Sequence, residues 1–171
     1  MSRLPPLAAF LSLAGATAAL PANADEIAPD IPACPLLSSE LVATAFGQAV
    51  AETERPPVGG SAGQGRMTTC FWTPADGGLG ATVSLLVWSW PEGHPAAEGF
   101  LEAVRLADHP NRPAPAAIDV GEAALWDGDR LHVRQGSVGF TLAASLNALD
   151  VPPDAEAKLV ALGREVVERL P

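Results

Sequence analysis

Three side chains that could bind or titrate stand at alternate positions in one short run, Arg130, His132 and Arg134. Alternation in an extended chain puts all three on one face, with Leu131 and Val133 on the other. Such a row could receive an anion or an acidic partner, and His132 would make the contact sensitive to pH near neutrality. The competing expectation is a polar face paired with nearby Asp and Glu. Trp88 and Trp90 form a second candidate, sharing a mixed face with Thr82 and Ser84 that could line an apolar groove for a ligand. A helix covering those two indoles is the alternative.

Sets with reactive chemistry are weaker. Gly59-Gly60-Ser61-Ala62-Gly63 matches G-x-S-x-G, but a nucleophile elbow needs a strand before it and a helix after it. Here two prolines precede the run and a strand-like stretch follows, so a glycine loop is expected. The same glycines lack the lysine and hydroxyl of a phosphate loop. Glu92, His94, Glu98, Asp108 and His109 cluster around one predicted helix without H-E-x-x-H spacing, and we expect no metal and no cofactor there. Asp127-Gly128-Asp129 has part of the composition of a calcium loop, yet Leu131 occupies a ligand position, so it reads as a turn. No catalytic residue is assigned.

The two cysteines, Cys34 and Cys70, are the remaining reactive pair. Arg3, the apolar run from Leu7 to Leu20, and Ala22-Asn23-Ala24 make residues 1–24 a predicted signal peptide, cleaved after Ala24. Export to the periplasm or beyond favours a disulfide, and closing that loop would add at most about 4 kcal/mol. The apolar run is shorter than the roughly 20 residues that a membrane span needs. A net charge of −10 over 171 residues argues against nucleic acid and anionic lipid as partners. An unknown small molecule or an envelope protein remains.

The elements that would position these residues are legible in outline. Residues 25–33 are acidic and proline-rich and predict an extended lead-in to a single domain over 34–171. Ser38, Ser39 and Glu40 start a short helix that Gly47 stops. Residues 52–65 read as a mobile loop, because their glycines and prolines oppose packing. Strands are expected around Cys70, from Gly80 to Trp90, and in a meander of 122–126, 130–135 and 137–144. Helices are expected over 96–107 and 154–170. This order predicts an α+β domain: an antiparallel sheet of about five strands with helices packed on it, an α/β sandwich with one disulfide.

The segments Cys34-Pro35-Leu36-Leu37-Ser38-Ser39-Glu40-Leu41-Val42, Phe46-Gly47 and Cys70-Phe71-Trp72 resemble the opening of small exported bacterial proteins and lipoproteins of unknown function. Residues 120–126 with 131–136 are similar to their central hairpin, and 161–170 to their closing helix. Relatives of that layout include extracellular sensor domains of bacterial serine/threonine kinases and PsbP-like lipoproteins. The resemblance implies an α/β sandwich and ligand sensing, and it carries no catalytic residue. The chain departs from the lipoprotein members in the residues before Cys34. We therefore expect a non-enzymatic exported binding or sensor-like domain. The competing classes are a serine- or metal-dependent hydrolase and a structural or inhibitory protein that acts by contact.

Overall fold

The computed structural model describes residues 26–61, 64–107, 114–146 and 150–171. The predicted signal peptide and its cleavage point lie outside them. The described chain forms one antiparallel sheet of seven strands: β1 (Val50–Gly59), β2 (Arg66–Pro74), β3 (Ala81–Ser89), β4 (Ala116–Ile118), β5 (Ala123–Trp126), β6 (Arg130–Gln135) and β7 (Val138–Leu146). Their spatial order is β1-β2-β3-β7-β6-β5-β4. Three helices complete it: α1 (Ser39–Phe46), α2 (Pro95–Leu106) and α3 (Ala155–Arg169).

Alternation along the strands divides the sheet into two unlike faces. In β3 the residues Ala81, Val83, Leu85 and Val87 are buried while Thr82, Ser84, Leu86 and Trp88 are half-buried. Val83, Leu85 and Val87 of the first set join Trp72, Leu131, Val133, Phe140 and Leu142 in one core. Against this face pack α1 and α3, through Val42 and through Leu159, Leu162 and Val166. Gly163 lets α3 sit close, since a Cβ there would fall 2.6 Å from Leu131 Cδ2. Helix α2 packs on β6 and β7, and its Phe100 lies against Trp88, on the other face.

The local signals explain the helix ends. Ser38 caps α1 by accepting the Leu41 N–H at 3.2 Å, and Gly47 ends it at φ 66°. The lead-in is held along the core side of β2 and β3. Arg66 grips Asp30 through two hydrogen bonds of 2.9 Å, and the Thr68 hydroxyl donates to the Ile31 carbonyl at 2.6 Å. Cys34 and Cys70 form the expected disulfide, which fastens a short 3-10 turn, Cys34–Leu36, to β2.

The strand count differs from the expectation of five. Residues 50–59, expected as loop in large part, form the edge strand β1. An edge strand needs only one row of ladder bonds, and the register slips between Arg55 and Val58, so Pro56 and Pro57 sit in the bulge. Every residue of β1 after Val50 is exposed, so no apolar alternation marks it. The other addition, β4, closes the opposite edge with three residues.

Candidate functional site

The hairpin of β6 and β7 brings the polar residues of the second face together. Its tight turn pairs Gln135 with Val138, and that register sets His132 opposite Thr141. The next pairing sets Thr141 opposite Leu86 of β3. A row of Leu86, Thr141 and His132 therefore crosses three adjacent strands. Beside it runs a row of Ser84, Ala143 and Arg130. Gly139 continues β7 under α2, where a Cβ would lie 2.9 Å from the Phe100 ring. The missing side chain is what admits Phe100 to the sheet. Its ring centroid is 5.5 Å from Trp88, 5.9 Å from Trp90 and 6.5 Å from His132.

These elements enclose a cavity of about 480 Å³. Leu86, Trp88, Phe100 and Val104 give it apolar walls. Ser84, Thr141, His132, Asp129 and Arg130 give it polar ones, and Asp150 and Val151 line it where the chain leaves β7. The volume falls within the about 300–1,000 Å³ of small-molecule sites, and the mixture of aromatic walls with a few polar groups is their usual composition.

At the cavity floor His132 is fixed at both ring nitrogens. Nδ1 lies 2.9 Å from the Thr141 hydroxyl and Nε2 lies 3.1 Å from Asp127 Oδ2. The other Asp127 oxygen accepts the backbone N–H groups of Arg130 at 2.9 Å and Asp129 at 3.2 Å. Burial opposes charge on Asp127, but hydrogen bonds from His132 and from Asp129 outweigh it and hold the carboxyl well below the usual carboxylate range. With Asp127 ionised, Nε2 is the donor, so Nδ1 of a neutral ring accepts the Thr141 proton. The order of hydroxyl, imidazole and carboxylate is that of an activated nucleophile. Thr141 nevertheless stands in mid-strand, paired on both sides, so the ladder engages the backbone around it and leaves no obvious pair of N–H groups for an oxyanion.

The residues singled out in the sequence separate here. Trp88, Arg130 and His132 all line the cavity, whereas Arg134 and Trp90 do not. Arg134 pairs with Glu122 at 3.1 Å. Trp90 is buried under Phe100 and against Gly65. The row expected to receive an anion is matched acid for base, since Arg130 lies 3.7 Å from Asp129 and His132 meets Asp127. Helix α2 covers the two indoles in part.

The remaining candidates have local roles. His94 caps α2, its Nδ1 accepting the Ala96 N–H at 3.1 Å. Asp108 and His109 lie outside the described residues, as do Ala62 and Gly63 beside the exposed Ser61. Ser61 lies between two strands, so the elbow context is absent. The one group of potential metal ligands within reach of one another among the described residues is Cys34, Glu52 and Cys70, and its two sulfurs are joined in the disulfide.

Phe100, Thr141, Asp127 and Asp150 are among the site residues that pattern reading did not nominate as binding groups. The signal for Thr141 was the two-residue turn at Gly136-Ser137, which fixes the partner of His132. No helix among the described residues is long and apolar enough to cross a membrane. No protein-family model, no curated protein and no solved structure matches the chain, so the reading of the cavity rests on its own geometry.

Proposed function

We propose that the protein is an exported, non-enzymatic binding domain whose small-molecule ligand seats between α2 and the second face of the sheet. One observation carries this reading. A cavity of about 480 Å³ gathers Trp88, Arg130 and His132 from two separate strands and adds Phe100 from a helix. Chain order alone gives no reason for such a convergence. The disulfide accords with an oxidising compartment, and the predicted signal peptide with its route there. A sensor-like role, of the kind implied by the resemblance to extracellular kinase-sensor and PsbP-like domains, belongs to the same reading. Asp127, His132 and Thr141 serve it as a rigid polar floor rather than as a nucleophile, because the ladder around Thr141 supplies no evident oxyanion donors.

The test uses a neutral apolar fluorophore, N-phenyl-1-naphthylamine, and a variant that fills the floor, Ala143→Phe. The wild-type protein should show saturable fluorescence enhancement with one site, and the variant should weaken it at least about tenfold, which is about 1.4 kcal/mol. Ala143 is half-buried and faces the cavity, so the thermal midpoint should change little. Undiminished binding in a folded Ala143→Phe protein would remove the cavity from consideration.

A further inference from the structure

The sheet register gives the cavity a direction. Successive cavity-facing residues of β3 are Trp88, Leu86 and Ser84, and the β7 residues opposite them are Gly139, Thr141 and Ala143, with Ser145 one step further on. In β6, His132 stands opposite Thr141 and Arg130 opposite Ala143. The lining therefore grades along the strands, from an indole through leucine and threonine to serines and an arginine. At about 3.3 Å per residue, the path from Trp88 to Ser84 spans about 13 Å.

The two ends differ in cover as well as in polarity. Phe100 closes the first end, seated over Gly139 with its ring centroid 5.5 Å from that of Trp88. At the other end Arg130 and Asp150 are exposed, Asp150 being bridged to Leu146 just beyond Ser145. Asp129, Arg130 and Asp150 all fall at this open end, and they carry both signs. A net ion of either sign would meet like charge there, but an uncharged hydroxyl finds donors and acceptors together. Resting on the reading of this cavity as a binding site, we infer that its ligand is an uncharged amphiphile, an apolar chain ending in a hydroxyl-bearing head. The chain enters first and lies along Leu86, with its tip at Trp88 and Phe100. The head stays at the mouth among Ser84, Ser145 and Arg130. The reverse orientation would take a hydroxyl out of water and set it against aromatic walls, which costs more than burying a methyl group there.

Four probes that share one carbon chain separate this inference from the reading beneath it: 1-octanol, 1,8-octanediol, octanoate and octylamine, each titrated calorimetrically at pH 7. Octanol should bind about tenfold more tightly than the diol, whose second hydroxyl has to enter the aromatic end, and more tightly than either ion. Orientation is read separately by nuclear Overhauser contacts in the octanol complex. These should run from the methyl group to the Trp88 and Phe100 rings and from the carbinol methylene to Ser84 and Ser145, an order that a uniformly apolar pocket would not impose. Contacts in the reverse order or from both ends alike, or a diol or an ion that binds as tightly as octanol, overturn the amphiphile inference and leave the cavity standing. If none of the four binds, or if octanol binds undiminished to folded Ala143→Phe, the cavity reading falls as well.

Discussion

At the scale of single residues, His132 decides most of what the second face can do. A histidine in a charged row suggests an exposed titrating group, yet the residue is 7% exposed and its ring is bonded at both nitrogens. Only the register of β6 on β7 puts Thr141 at one nitrogen, and only the turn after Trp126 puts Asp127 at the other. Asp127 has its carboxyl pKa depressed in the folded state, so it contributes stability that is present above its unfolded pKa of about 3.9. That contribution is lost as the pH falls below about 4 and through the folded pKa. Asp127→Asn should therefore flatten the acid side of the stability profile. At neutral pH it should cost about 1–3 kcal/mol, because Asn can keep the turn bonds only if the imidazole adopts its other tautomer. Urea midpoints of both proteins from pH 2 to pH 7 would show this. Parallel acid limbs in the two proteins would mean that Asp127 is not the group responsible.

At the scale of elements, α2 is the part whose position matters to the site. Its period was readable, and so was its apolar side of Phe100, Leu101 and Val104. Which strand it would meet was not, because an apolar stripe specifies burial without naming the surface that buries it. The answer lies in β7, where Gly139 leaves room for the Phe100 ring. Gly139→Ala would place a Cβ 2.9 Å from that ring, and the ring would have to move. We expect a loss of about 1–3 kcal/mol, together with faster hydrogen exchange confined to 95–106 and a changed near-ultraviolet signal from Trp88 and Trp90. Unaltered exchange in α2 would show that Phe100 does not anchor the helix. Strand β1 teaches the converse, since its prolines and glycines read as loop while an edge position with a bulge accommodates them.

At the scale of the whole molecule, the disulfide ties the lead-in and the 3-10 turn to β2 across a separation of 36 residues. By loop entropy its removal should cost up to about 4 kcal/mol. The double variant Cys34→Ser, Cys70→Ser should therefore unfold at markedly lower urea with a steeper slope, because the uncrosslinked unfolded chain exposes more surface, and a midpoint within error of the wild type would show that the core alone holds this corner. Because the bridge lies on the core side with Trp72, the cavity on the other face should retain its probe affinity wherever the double variant is folded. What the residue order determined by itself was local or periodic: the cap at Ser38, the stop at Gly47, the alternation of β3, the β6–β7 hairpin, the amphipathic α3 and the pairing of two lone cysteines. Each depends on neighbours within a few positions, or on there being a single possible partner. The tertiary structure alone decided the two added edge strands β1 and β4, the seat of α2, the acid partners of Arg130, His132 and Arg134, and the placing of Trp88 but not Trp90 in the cavity lining. Those depend on strand order and on which face a helix covers, which are set by the packing of segments distant in sequence and leave little trace in the composition of any one of them.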